Sequence, residues 1–503
     1  MLFERTDAEL WSEWNNLRTN ASQIRLRLLG GSLAFAACNS AWRGENMQTV
    51  SDAPRRFISG ELFCGAGGLS SGFHAHGFDP RFANDIWPLA LHNFLMNFDP
   101  LYAASNGKKG EIVAVSGSVE DINVDTLLRQ TAGTSAEPLE QGELDVLLGG
   151  PPCQGYSVNS HTRSAEDPRN FLFRHYVRIL QGLAPKVFVL ENVPGMYSLE
   201  GGRFFDELVN MIGRPTKGCP GYEVAFKIVN AAHYGVPQDR FRVVLVGTRR
   251  DVADRAGIVE LPIPRHYSLA QAHFKGGRAH TFHHAIGFRK RLNQPGVPQI
   301  GPNLCDPITI AEAMSDLPQL TNGGGSDLAS YSKAKRPQSD YQLWARDGAS
   351  VLSNHWCRAL AQPNIERVKH IPAGGDWRSI PHELLPPGMQ RAQRKDHTKR
   401  YGRLRPDEIS GTLLTKPDPH WGTFIHYDIR QQRLISVREA ARIQSFPDTY
   451  QFFGGQVDQY KLCGNAVPTL MAAAVAKEVA GVLDRYYRDL PAKASDRSSS
   501  VRA

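Results

Sequence analysis

Four short apolar runs recur between residues 57 and 250, each closed by glycine, proline or charge. They are FISGELF (57–63), LDVLLGG (144–150), KVFVLENV (186–193) and FRVVLVG (241–247). Runs of this length, rich in Val and Leu, fit strands buried on both faces of a mostly parallel sheet. RFAND (81–85) predicts a further strand, and FLFRHYVRILQGL (171–183) carries apolar residues at helical spacing. The alternation predicts an α/β domain with a doubly wound, mostly parallel sheet, over residues 57–260. Such sheets bind ligands at the carboxyl ends of their strands.

The pattern then changes. Residues 261–430 are rich in Pro, Gly, His and Arg, lack long periodic runs, and carry the turn signals NGGG (322–325) and PAGGDW (372–377). A smaller, loop-rich, basic domain is expected there. SVREAARIQSF (436–446) predicts a helix with Ser436 as cap and Glu439 closing a capping box. LMAAAVAKEVAGVLDRYY (470–487) predicts a long amphipathic helix, so residues 431–487 are expected to return to the first domain. Residues 488–503 read as a disordered tail. Residues 1–56 read as a helical extension in which Thr6 caps a helix and Glu9 closes its capping box. The run from Leu26 to Ser40, ending near Cys38, resembles a signal peptide. Its apolar stretch is short and follows an acidic, tryptophan-containing segment, so a cytoplasmic chain is expected. No segment approaches the roughly 18 apolar residues of a membrane span.

Composition narrows this little. The 503 residues are 41% hydrophobic, enough for a sizeable core without staples. Seven cysteines are scattered singly with no CxxC pair, which argues against structural zinc and for a reducing compartment. His355 and Cys357 lack two further ligands at fitting spacing, so no metal is expected. Charge adds more. Residues 265–409 hold 21 Lys and Arg against 12 Asp and Glu, a net of +9 in a chain of formal charge +8. A cationic surface of this kind suits nucleic acid.

Candidate chemistry gathers at the strand ends. FCGAGGLSSGF (63–73) is a glycine turn opening a helix. Gly65 and Gly67 leave room for a ligand near the backbone, and Asp85, ending the next strand, can bond a ribose. The third glycine of a dinucleotide fingerprint is missing, since Ser70 stands there. An adenosine-containing cofactor fits. Cys153, in GGPPCQ, lies just past a strand on a loop stiffened by Pro151 and Pro152, as a reactive thiolate would. ENV places Glu191 and Asn192 beyond another strand. QDRFR sets Gln238, Arg240 and Arg242 at alternating positions, pointing one way if extended.

The ordered set FCGAGGLSSGF, GGPPCQGYS, ENV, QDRFR, SVREAARIQSFPDTY and GNAVP resembles the DNA (cytosine-5)-methyltransferase family, bacterial type, over residues 57 to about 485. The resemblance implies the S-adenosylmethionine-dependent methyltransferase fold, S-adenosyl-L-methionine as methyl donor and double-stranded DNA as substrate. The basic region would be the target-recognition domain. By position, Phe63, Gly65, Ala66, Gly67 and Leu69 would shape the donor pocket. Asp85 would hold the ribose, and Ile86 would pack on adenine at a position often aromatic in the family. Ser118, with Val119 beside it, stands where an acid usually bonds the adenine amine; its hydroxyl would accept that bond more weakly, or Glu120 would serve. Pro151 and Leu172 would line the pocket, and Asn465 and Val467 would close its methionine end. Thr469 replaces a common second proline.

The resemblance also implies a mechanism. Cys153 would add to carbon 6 of a flipped cytosine, making carbon 5 nucleophilic, while Glu191 donates to ring nitrogen 3. Raising a glutamate from about 4.3 to about 7 takes about 3.7 kcal/mol of environmental bias. Burial under the base can supply that. Arg240 would steady the carbonyl or the glutamate, and Arg242 and Gln238 the cysteine loop. Gln154, Gly155, Ser157, Arg163 and Arg169 would belong to a mobile DNA-contacting loop. A cognate restriction endonuclease or other defence protein is an expected partner, with the chain a monomer on DNA. Three alternatives stand beside this reading: an RNA cytosine-5 methyltransferase on the same scaffold, a catalytically silent DNA-binding relative, and a nucleotide-dependent oxidoreductase.

Overall fold

Seven strands form one sheet in the order β3-β2-β1-β4-β5-β7-β6. They are β1 (Phe57–Leu62), β2 (Phe78–Asp85), β3 (Val113–Ser116), β4 (Val146–Gly149), β5 (Val187–Asn192), β6 (Tyr222–Asn230) and β7 (Phe241–Arg249). The first five pair in parallel; β7 runs antiparallel to both β5 and β6. The structure is a computed structural model that describes residues 55–132, 137–152, 172–198, 202–266, 305–331, 334–393, 400–420 and 422–488. The helix expected at Thr6, Cys153, Gln154, Gly155, Ser157, Arg163, Arg169 and residues 489–503 lie outside the described residues. All described residues belong to one unit, 45–503.

Period-two alternation divides the apolar side chains between two layers. Val146, Leu148, Val187, Val189, Val244 and Val246 face one layer. Leu147, Phe188, Leu190, Val243 and Leu245 face the other. The first layer is covered by helices Gly68–His74, Arg250–Ala256 and Thr469–Arg488, the second by Leu172–Leu183 and Arg203–Gly213. The expected doubly wound α/β sheet is therefore present.

A second core joins Ile310, Trp377, Tyr401, Ile425, Val437, Phe446 and Tyr460. Regular structure is sparse around it: an antiparallel pair of β8 (Gly325–Ala329) and β9 (Leu352–Trp356), with helix Asp340–Arg346 between them in sequence, and other short helices. The expected capping box is there, with Ser436 and Glu439 closing the start of helix Val437–Ile443. That helix packs in the second core, while Thr469–Arg488 packs on the sheet. Among the described residues no single helix is long and apolar enough to cross a membrane.

Candidate functional site

The turn after β1 is built by backbone conformation. Phe63, Gly65 and Gly67 have φ of 57°, 52° and 70°, all left-handed. The Gly67 amide donates back to the Cys64 carbonyl at 2.7 Å. A side-chain carbon at Gly65 would meet nothing within 4 Å, whereas one at Gly67 would lie 2.5 Å from the Phe98 ring. Gly65 thus leaves open space over the turn, and Gly67 is required by packing. Asp85 closes the turn from β2: its Oδ2 accepts from the Gly65 amide and its Oδ1 from the Trp87 amide, both at 2.8 Å. Burial pushes its carboxyl up, and those amides oppose the shift. Each oxygen retains a lone pair for a hydroxyl. Ile86, beside it, is 74% exposed.

Three expected pocket side chains are inside instead. Leu69 faces the sheet core beside Phe73, one helical turn on. Ala66 is buried in the second core, and its carbonyl accepts from the Tyr450 hydroxyl. Val119 is buried in the other sheet layer. A helix or turn that starts against a two-sided sheet must bury its apolar side chains, so these residues can offer a ligand backbone only. Ser118 caps the turn Val119–Asp121, its Oγ accepting from the Glu120 amide at 3.3 Å.

One residue here went unread in the sequence. Arg178 donates to the carbonyls of Ile122, Val119 and Glu120 at 2.7, 2.9 and 3.1 Å, pinning the turn that carries Ser118. It sits on the same helix as the half-buried Leu172. An exposed arginine on an amphipathic helix looks like any solvated residue, so the sequence carries no signal for it.

The ends of β5 and β7 form a second focus. Arg242 Nε lies 2.6 Å from Glu191 Oε1, and both side chains are largely buried. Glu191 Oε2 faces Gly150, where an added side-chain carbon would lie 3.5 Å away. Asn192 Nδ2 donates to the Pro151 carbonyl at 3.1 Å, fixing the loop that leads to Cys153. Arg242, not Arg240, takes the glutamate. Arg240 donates to the Gly464 carbonyl at 3.1 Å and the Leu413 carbonyl at 3.5 Å. Gln238 bonds Gln444 Oε1 at 2.9 Å, the Ile443 carbonyl at 3.2 Å and the Leu413 amide at 2.9 Å. The three side chains do not share one direction, because Gln238 precedes β7 in a bridge to Ser410 rather than in a continuous strand. Gln238 and Arg240 fasten the second core to the sheet.

The remaining wall comes from the far end of the chain. Asn465, exposed, ends helix Gln456–Asn465, and Val467, buried, lies on the segment joining it to Thr469–Arg488. A side-chain carbon on Gly68 would lie 2.2 Å from the Val467 carbonyl, and one on Gly72 would lie 2.4 Å from the Ala473 amide. These two glycines let the glycine-turn helix touch that wall backbone to backbone. Sequence reading gave them no task.

Other thiols near these groups are poor nucleophiles. Burial, with Asp85 and Glu61 close by, pushes Cys64 well up, and burial pushes Cys463 up to about 12. Burial also raises Cys357. His355 commits both ring nitrogens, to Ser436 Oγ at 3.0 Å and the Pro318 carbonyl at 2.8 Å. Neither residue of that pair is placed to ligate a metal. The open turn with its carboxylate fits a ligand bringing a diol. The Glu191–Arg242 pair fits a polar planar group.

Residues 57–481 match the family model described as C-5 cytosine-specific DNA methylase. The chain is 29% identical to the type II methyltransferase M.AgeI of Thalassovita gelatinovora, covering 83% of this chain and 98% of that one. It is 28% identical to the type II methyltransferase M.Bpa9945I of Bacillus paralicheniformis, covering 85% and 99%. A prophage-encoded Escherichia coli protein, described as a DNA modification methyltransferase, has a similar fold. Its TM-score is 0.56 at 21% identity, over 85% of this chain and 99% of that one.

Proposed function

Since the chain belongs to the C-5 cytosine-specific DNA methylase family, we propose that it methylates carbon 5 of a flipped cytosine in a specific DNA sequence through a covalent Cys153 adduct. The family's activity is DNA cytosine-5 methyl transfer on double-stranded DNA, with S-adenosylmethionine as donor. The donor supplies a methyl group activated by a sulfonium. On this chain Asp85 would take the ribose hydroxyls over Gly65, with Ile86 and Leu172 against the adenine and Asn465 toward the methionine end.

Cytosine carbon 5 is a poor nucleophile until its conjugation is broken. The Cys153 thiolate forms a bond to carbon 6, and the ring electrons move toward nitrogen 3. Glu191 donates a hydrogen bond or proton there, and Arg242 keeps the carboxyl in place. Carbon 5, now enamine-like, accepts the methyl group. Loss of its proton restores the double bond and releases Cys153. A duplex hides these atoms, so the base is extruded at a cost of a few kcal/mol. The observation that carries this reading is the Glu191–Arg242 pair at 2.6 Å, facing the start of the loop that bears Cys153.

The names of the type II relatives support a role in restriction-modification; in that role the chain would act in the cytoplasm as a monomer on DNA, beside a cognate endonuclease. Bisulfite sequencing of DNA from cells expressing the chain tests the reaction. Protected cytosines within one short motif are expected, and Cys153→Ser should abolish them. Methylation at adenine or at the exocyclic amine of cytosine would refute the proposal.

A further inference from the structure

Asp85 and Trp87 end β2 and open helix Pro88–Phe98; Lys461 stands on helix Gln456–Asn465, far along the chain. The Lys461 ammonium lies 4.2 Å from the centre of the Trp87 ring. Trp87 is half-buried against the second core, so its ring is held and not free to swing. Its amide is bonded to Asp85 Oδ1, tying ring and carboxylate into one corner. Lys461 also sits close enough for its charge to act on Asp85. Four residues on, one helical turn further, comes Asn465. A cation over an aromatic face is attracted by the ring's quadrupole.

We propose that Lys461 and Trp87 form a latch across the mouth of the donor pocket, joining the β2 wall to the Gln456–Asn465 wall. The proposal rests on the donor reading of the glycine turn given above. The latch holds Asp85 and Asn465 at a fixed separation, so a ligand bound between them leaves more slowly. Lys461 is thereby a positioning residue: it acts through the two walls rather than on the reacting atoms.

Two effects of Lys461 can be told apart by charge. A latch loosened by Lys461→Met weakens the cationic donor S-adenosylmethionine and the neutral product S-adenosylhomocysteine alike. A purely electrostatic role would tighten the cationic donor relative to the neutral product once the ammonium is gone. Titration calorimetry on the full chain with both compounds, beside steady-state methylation of duplex DNA, reads the difference. The latch predicts a dissociation constant raised about threefold for both compounds in Lys461→Met and in Trp87→Leu. It predicts recovery in Lys461→Arg, and a donor KM that rises more than kcat falls. Unchanged affinities in Lys461→Met, a selective gain for the cationic donor, or no recovery in Lys461→Arg would overturn it. Wild-type protein that bound neither compound would instead defeat the donor reading itself.

Discussion

In the seven-stranded sheet, backbone carbonyls are met by neighbouring strands; in the second core, built mostly from residues 310–466, buried arginines meet many of them. Arg403 donates to the carbonyls of Ile371, His426 and Val368 at 2.7, 2.6 and 2.8 Å. Arg438 donates to those of Ser353, Pro447 and Tyr450 at 3.0, 3.1 and 2.6 Å. A guanidinium offers five donors in one plane, so one side chain replaces a stretch of ladder. Its charge then needs an answer. Arg442 lies between Asp316 and Asp448, and Arg433 pairs with Glu439 at 2.7 Å. Burial alone would raise Asp448, yet Arg442 and Arg438 hold it below the usual carboxylate range. In the sheet, by contrast, buried charges stand near strand ends: Glu61, Lys186 with Asp145, and Arg242 with Glu191. Irregular backbone is thus held by side-chain donors; among the charges of the sheet, Lys186 does the same for the Glu143 carbonyl at 2.6 Å, while the Arg242–Glu191 pair faces the candidate site.

The largest expected effect follows from removing one arginine of the second core. Arg442→Met takes the nearest cation from both Asp316 and Asp448, leaving them Arg346 at 3.3 Å and Arg438 at 3.6 Å, and should cost about 3–5 kcal/mol in denaturant unfolding, with loss of soluble protein. Arg242→Met at the sheet edge should instead abolish methylation while shifting the unfolding midpoint less. Equal destabilisation by the two would break the distinction. Arg403→Met leaves carbonyls unmet and should cost about 2–3 kcal/mol by the same measurement.

Acid and alkali should separate the two cores. Burial lowers His426 to about 4, so the unfolded chain takes up a proton first as pH falls from 6.5. Stability in the second core is then lost between about pH 6.5 and 4. Burial raises Glu61 to about 8 from 4.5, so the folded sheet keeps a proton that the unfolded chain releases. Its stability falls as pH rises through that window. Glu61→Gln should flatten the fall of a melting-temperature profile between about pH 6.5 and 8, where His426 no longer titrates. A smaller effect is expected for Arg178→Met, which frees the Ser118 turn. Donor KM should rise several-fold with little change in melting temperature.

The sheet was legible because its strands are buried on both faces, which makes β4, β5 and β7 near-continuous apolar runs. β6 was not: it is an edge strand with exposed Glu223, half-buried Lys227 and no such run. Glu191 and Asp85 were legible as polar residues closing apolar strands, and Arg242 as one leading into another. The division of labour between Arg240 and Arg242 was not, since it depends on where β7 starts. The basic count misled in part. Arg403 falls inside the cationic stretch yet is 2% exposed. Arg378, Arg405 and Lys369 pair with acids within three residues. The net charge already subtracts those acids, so of these residues only the buried Arg403 reduces the surface offered to a polyanion.

Gly68 and Gly72 press the first helix onto the last, and Tyr450 reaches Ala66 across 384 positions of sequence. During synthesis, the glycine turn must therefore wait for residues 450–473 to leave the ribosome before its packing partners exist. A product terminated before them leaves that turn without the backbone it presses against.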